Sequence, residues 1–206
     1  MDFGEEAAGW DERPDRVARS RAIAASIREA VDLSGRPETI ELGAGTGLLS
    51  RQLADALGAV TLTDAAAGMV EVAAERIAVE CRDGWRAELV VHDASVLPGG
   101  PYGLVLSQLA LHHMGDVPAV LRSAFEVLAP GGRIAVVDLD HDPDGAFHAE
   151  HADFEGPHGF RRSEIESWMC AAGFVEVQVT TATSIDKEVR DETRNFTLFL
   201  ATGHRP

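Results

Sequence analysis

Residues 41–50 read ELGAGTGLLS. Gly43, Gly45 and Gly47 stand at alternate positions directly behind the short apolar run Thr39–Leu42. Such glycines let a main-chain turn press against a bound nucleotide, because any side chain would hold the ligand away. Glu41 sits just before the first glycine. A carboxylate there would repel a pyrophosphate and would suit a cationic ligand group. In a dinucleotide fingerprint the third glycine takes the sixth position, which here is Leu48. Both features speak against NAD and a nicotinamide oxidoreductase. Asp64 closes the next apolar run about 20 residues on, where a carboxylate can accept two hydrogen bonds from a vicinal diol. The same residue type also caps helices, and a helical stretch follows it.

His112 and His113 come behind another apolar run, in LVLSQLALHHM. Imidazole titrates near neutrality and can accept a proton, so the pair could supply a base or position a reacting group. Packing or capping the next helix is the alternative. A second histidine group, His148, His151 and His158 with Asp153, lies in the polar stretch DLDHDPDGAFHAEHADFEGPHGFR at 139–162. Histidine with carboxylate is a metal ligand set. Solvated loop histidines on an acidic surface are the simpler reading, and no metal is expected. A loop of this length inside a compact domain is usually functional or mobile.

These groups need a scaffold. Residues 14–33 read as a helix, with Pro14 in its first turn and Ile23, Ile27 and Val31 on one face. Strands are expected at Thr39–Leu42, Ala59–Thr63, Ala87–His92, Leu104–Ser107 and Arg133–Asp138, and helices at Leu48–Leu57, Ala67–Cys81 and Val117–Leu128. Pro130-Gly131-Gly132 reads as the turn into the last of these strands. Alternation of this kind predicts an α/β fold with a parallel sheet covered on both faces. After a helix at Ser163–Ala172, two strand-like runs, Val175–Thr180 and Phe196–Thr202, have no helix between them, which predicts a hairpin and an antiparallel strand. The polar residues 182–194 show no clear helical period. Cys81 and Cys170 read as free thiols buried on helices.

Taken in order, these segments resemble the class I S-adenosylmethionine-dependent methyltransferases. ELGAGTG resembles their first motif, TLTDAAAGM the second, VVHDAS the third, LVLSQLALHHM the fourth and LAPGGRIAVVD the fifth. The likeness covers about residues 10–202 and is nearest the small "type 11" branch, which includes quinone-ring C-methyltransferases. It implies a Rossmann-like, doubly wound, seven-stranded, mostly parallel sheet ending in an antiparallel hairpin strand. It also implies a cofactor, S-adenosylmethionine, with S-adenosylhomocysteine as product. The implied cofactor site comprises Glu41, Gly43, Ala44, Gly45, Thr46, Gly47, Asp64, Ala65, Met69, Asp93, Ala94, Ser95 and Ser107, with Asp64 on the ribose and Asp93 beside the adenine. Residues 1–35 would form a helical cap, and Trp10, His151, His158 and Phe160 would line the acceptor pocket. Trp10 has a plainer role open to it, as a hydrophobic staple. A cofactor-binding or sensing module without transfer activity is the alternative function.

The bulk numbers agree with one methyltransferase domain over residues 1–206. The chain has 18 Lys+Arg against 34 Asp+Glu, a net charge of −16. So acidic a surface repels phosphate backbones and anionic headgroups, so neither nucleic acid nor membrane is expected as a partner. A small-molecule methyl acceptor is. The acidic N-terminus does not read as a targeting signal, and a cytoplasmic protein is expected. The acceptor and the oligomeric state are not fixed by the sequence.

Overall fold

The computed structural model describes residues 7–90, 97–151 and 154–206. Asp93, Ala94, Ser95 and Asp153 lie outside the described residues. Seven strands form one sheet: β1 (Thr39–Leu42), β2 (Val60–Asp64), β3 (Trp85–Leu89), β4 (Tyr102–Gln108), β5 (Leu128–Leu139), β6 (Val175–Val189) and β7 (Glu192–His204). Their order is β3-β2-β1-β4-β5-β7-β6. β1 pairs in parallel with both β2 and β4, and β4 in parallel with β5. β7 runs antiparallel to β5 and to β6. The expected fold class is therefore the observed one. Chain direction around the sheet reverses between β1 and β4, and in open α/β sheets ligands bind outside the carboxyl ends of the strands at such a point.

Both faces are covered. α1 (Pro14–Ala30), α2 (Leu48–Gln52) and α3 (Ala67–Val79) pack Ile23, Ile27, Leu49, Leu53 and Ala73 against Leu62, Leu104, Leu106 and Val137. On the other face α4 (Val117–Val127) and α5 (Arg162–Ala172) pack Val120, Leu121, Ile165 and Met169 against Ile40, Val105, Ile134 and Val136. Leu104 and Leu106 serve one face and Val105 the other, the two-residue alternation of a strand buried on both sides. Asp116 caps α4 by accepting from Ala119 N at 2.9 Å.

Several boundaries differ from the sequence reading. α2 stops at Gln52 rather than Leu57, because residues beyond it close three-residue turns, Leu53 N to Ser50 O and Ala56 N to Leu53 O. That tightening brings both Leu53 and Leu57 into the core. The polar stretch 182–194 is not a connection. β6 and β7 run through it, joined at Arg190-Asp191, where φ is 50° and 69°. Two left-handed residues make the tight turn that suits strand twist, but Arg-Asp carries none of the usual Gly or Asn signal. The hairpin reaches past the last β5–β7 pair, Leu139 with Leu198. Cys81 and Cys170 are exposed rather than buried. Cys81 lies beyond the end of α3 at φ 51°, and the inward positions of α5 are Ile165 and Met169. Among the described residues no helix is long and apolar enough to cross a membrane.

Candidate active site

The glycine loop joins β1 to α2 at the carboxyl edge of the sheet. Gly47 starts α2 at φ 77°, and a Cβ there would stand 2.4 Å from Leu62 Cδ1, so this glycine lets helix and strand close together. Gly43 packs equally tightly on Ala110. Gly45 differs. At φ 55° its added Cβ would meet only Met69 Sδ, at 3.7 Å, leaving open space over the main chain. Asp64 fixes that cradle: one carboxylate oxygen accepts from Gly45 N at 2.8 Å and the other from Ala66 N at 2.9 Å. Each oxygen keeps a second lone pair for a ligand hydroxyl. The residues present thus fit a nucleoside whose ribose meets Asp64 while its chain crosses Gly45.

Glu41 is 1% exposed and accepts hydrogen bonds from the backbone amide and hydroxyl of Ser50 on α2. Burial pushes its carboxyl up to about 7, against the Ser50 hydrogen bonds and helped by Asp64 nearby. Thr46 donates to Asp11 at 2.6 Å, and Arg51 on α2 binds the other oxygen of Asp11 at 2.6 Å. The turn Ala7–Glu12 is thereby tied to the glycine loop. Trp10 beside it lies under the Arg16 guanidinium, 3.4 Å from the ring centre. Ser107 is fully buried and donates to Leu42 O at 3.1 Å. Ala65 is exposed beside Asp64, Ala44 is buried in the loop, and Met69 is 2% exposed beneath Gly45. Gln108, at the end of β4, has a buried Oε1 with no hydrogen-bond partner among the described residues, an acceptor suited to a ligand donor.

Beyond β4 and β5 the site changes character. His112 is 2% exposed, and its Nδ1 lies 2.6 Å from Oδ1 of Asp138, a carboxylate at the end of β5 with no exposure at all. Asp138 also accepts from Leu139 N at 2.7 Å and, at 3.4 Å, from His112 N. His113 stands exposed at the rim, its ring centre 4.1 Å from that of His112. The insertion after β5 folds over both. Its ends are pinned by Phe160 N to Leu139 O and by a two-bond ion pair of Arg162 with Asp140. Inside it, His148 stacks on Phe154 at 3.8 Å and 11° and comes within 5.2 Å of His112, ring centre to ring centre. His158 Nδ1 is 3.3 Å from His148 Nδ1. Gly156 lies so close that a Cβ would stand 2.3 Å from His112 O. The hairpin tip props this turn: Phe196 packs on Phe147 at 5.2 Å, and Lys187 donates to Phe147 O at 2.7 Å. Burial, and then the neighbouring imidazoles, push the His148 ring down to about 3. His113 is lowered to about 4 by the same causes, though water at the rim blunts the effect there. The His148 and His113 rings are therefore neutral near pH 7.

The structure brings His112, His113 and His158 together, with His151 bonded through its amide to His148 O at 2.8 Å. Phe160 goes elsewhere. It is 3% exposed and edge-on to Trp168 in the core under α5, so it offers no ring to an acceptor. Among the described residues no group of three or more His, Cys, Asp or Glu is placed to hold a metal. Sequence reasoning missed the pairing of Asp138 with His112 and the tie of Asp11 to Thr46 and Arg51. Asp138 stood in plain view as the last acid of a buried strand, a position that needs a partner. The open surface clefts around Arg28, Leu33 and Asp55 and around Gly103 and Arg133 lie at the amino ends of the strands, away from this edge.

Comparison with known proteins bears on the family and the fold. Residues 40–134 match the family described as a methyltransferase domain. The chain is 34% identical over 149 residues to the biotin biosynthesis bifunctional protein BioCD of Bordetella avium, covering 69% of this chain and 29% of that protein. It is 29% identical over 131 residues to the demethylmenaquinone methyltransferase of Mycolicibacterium gilvum, covering 63% and 54%. The chain thus spans from under a third to about half of the length of these relatives. The solved structure of a SAM dependent methyltransferase from Aquifex aeolicus shares the fold, with a TM-score of 0.69 at 16% identity and 97% of each chain covered.

Proposed function

This chain belongs to the class I S-adenosylmethionine-dependent methyltransferases, in the small type 11 branch, and from that premise we propose that it methylates a small-molecule acceptor and releases S-adenosylhomocysteine. The observation that carries the reading is the open cradle over Gly45 beside the Asp64 carboxylate, at the reversal point between β1 and β4. Glu41, Gly43, Ala44, Thr46, Gly47, Ala65 and Met69 complete the cofactor side. Gln108 adds an acceptor that sequence reasoning did not supply. The cofactor brings a methyl group already activated by a sulfonium charge. What the protein adds is placement, worth about 7–11 kcal/mol in favourable cases. His112, His113, His148 and Phe154 form the wall against which the acceptor is held, and the residue 139–162 insertion excludes water from it. Residues 1–206 act as one unit, with 1–35 as cap. The Mycolicibacterium gilvum relative acts on demethylmenaquinone by name, a small molecule, which supports an acceptor of that size class.

Calorimetric titration tests the cofactor half. S-adenosylhomocysteine is expected to bind with micromolar or tighter affinity and NAD without comparable heat. The reverse order would overturn the assignment.

A further inference from the structure

We propose that His112 and Asp138 form a proton-accepting dyad, and that the methyl acceptor is therefore a hydroxyl compound, phenolic or enolic, rather than an aromatic amine or a thiol. The inference rests on the methyl-transfer reading above and deepens it. Three donors converge on the Asp138 carboxylate: His112 Nδ1 at 2.6 Å, Leu139 N at 2.7 Å and His112 N at 3.4 Å. A carboxylate can only accept, so the proton between the side chains sits on Nδ1, and in the neutral imidazole the other ring nitrogen, Nε2, keeps its lone pair. Nε2 makes no hydrogen bond among the described residues. The ring carrying it faces His113 at 4.1 Å, His148 at 5.2 Å and Phe154 at 6.0 Å. Those neighbours are aromatic surfaces, and exposed His113 marks the way in from solvent.

Position argues for more than packing. A buried carboxylate–imidazole pair costs desolvation and is weak evidence for stability as such. Here it stands at the carboxyl edge, across from Gly43, whose Cβ position is filled by Ala110 just ahead of His112. The loop that covers it is docked through Gly156 against His112 O. The titratable groups facing the dyad are His113 on its own turn, His148, His151 and His158 on the insertion, and Lys187 on the hairpin beyond His148. Lys187 is held by Phe147 O and Glu150.

The chemistry then selects the acceptor. An aromatic amine is neutral near pH 7, attacks a methyl sulfonium with a lone pair it already has and sheds its proton to water afterwards. A thiol ionises near pH 8.5 and reaches the thiolate unaided, whereas a phenol needs about pH 10. A hydroxyl gains most from a fixed base. In the step, the acceptor's O–H proton passes to Nε2 of His112 as the oxygen forms its bond to the methyl carbon. The carbon–sulfur bond breaks, its electron pair stays on sulfur, and the sulfonium becomes the neutral thioether of S-adenosylhomocysteine. His112 is left as an imidazolium whose charge Asp138 balances, and its proton returns to water.

The test uses the whole chain and three ring-matched probes, catechol, aniline and benzenethiol, with S-adenosylhomocysteine release as readout. Catechol should be methylated, and His112→Asn should lower its kcat by roughly 100-fold or more. Asp138→Asn keeps the shape and, with its amide oxygen in the Oδ1 place, the bonds from Leu139 N and His112 Nδ1; it removes the charge and the long 3.4 Å bond from His112 N. It should lower kcat about tenfold or more and move the acid limb of the pH–rate profile to lower pH, because an imidazolium loses its counter-charge. S-adenosylhomocysteine affinity should stay within about twofold in both variants, on an energy scale where tenfold is about 1.4 kcal/mol. A purely structural pair would lower thermal stability and leave the acid limb in place. Independently of turnover, nitrogen-15 NMR of the imidazoles should show His112 protonated on Nδ1 at neutral pH. Protonation on Nε2 alone, methylation of aniline or benzenethiol only, or cofactor binding without any hydroxyl methylated would each overturn the dyad and leave the cofactor reading intact. Absence of S-adenosylhomocysteine binding would instead sink the methyl-transfer reading itself.

Discussion

The two halves of the carboxyl edge are built from different materials. Beside β1 and β2 the site is mostly main chain: the glycine loop, an amide of Gly45 fixed by Asp64, and an amide and hydroxyl of Ser50 fixed by Glu41. Beside β4 and β5 it is almost all side chain: His112, Asp138, His148, Phe154 and His158, from three separate segments. The first half holds its polar groups by bonds that close over a few residues of loop and one neighbouring strand. The second depends on a long insertion and a hairpin tip arriving from elsewhere. A half made of main chain can tolerate little change of residue type at its glycines. A half made of side chains can change its acceptor by changing rings while the sheet stays as it is.

The largest expected effect that separates the halves is on cofactor affinity. Asp64→Ala removes a charged acceptor worth about 1.5–3 kcal/mol. S-adenosylhomocysteine binding should weaken roughly 10- to 100-fold by calorimetry. Unchanged affinity in a folded variant would make Asp64 a cap for the loop and helix alone. Next come two glycines from one loop. Gly45→Ala places a methyl in open space, so it should cost only the left-handed backbone penalty of about 1–2 kcal/mol in stability while strongly weakening cofactor binding. Gly47→Ala meets Leu62 as well and should lose roughly 1–3 kcal/mol more. Equal thermal losses with equal affinities would show that the two positions do the same job.

The smallest effect is on stability against pH, where the halves should have opposite signs. In the acceptor half, His148 is lowered in the fold to about 3 from 6.5. The unfolded chain takes up that proton first, so this contribution is present above 6.5 and is lost as pH falls toward 3. In the cofactor half, Glu41 is raised to about 7 from 4.5. The folded protein keeps a proton that the unfolded chain has released, so this contribution is present below 4.5 and is lost as pH rises to 7. His148→Phe, which retains the stack on Phe154, should flatten the fall of Tm on acidification. Glu41→Gln, which retains an acceptor for Ser50, should raise Tm at pH 8. Each kcal/mol corresponds to roughly 2–4 °C in a chain of this size. Tm curves of both variants parallel to the parent between pH 4.5 and 8 would remove these groups from the pH balance.

The amino-acid order alone determined the parallel sheet, its helices on both faces, the loop glycines with Asp64, and the antiparallel end. Each of those rests on period and spacing within one or two elements: alternating apolar residues, glycines two apart, an acid at a strand end. Tertiary structure decided what such local signals cannot carry. The polar residues 182–194 form strands because their inward residues, Ala182, Ile185 and Val189, find apolar partners only once the insertion and α1 are packed there. Phe160 looked like a site residue and was taken by the core, and the Ser107 hydroxyl donates to Leu42 O. Thr46 was set beside Asp11, a residue from outside the motif. The dyad of His112 with Asp138 joins two strand ends whose separation in sequence leaves no periodic trace. A buried carboxylate needs a donor, but only the adjacency of β4 and β5 in the sheet decides which donor it meets.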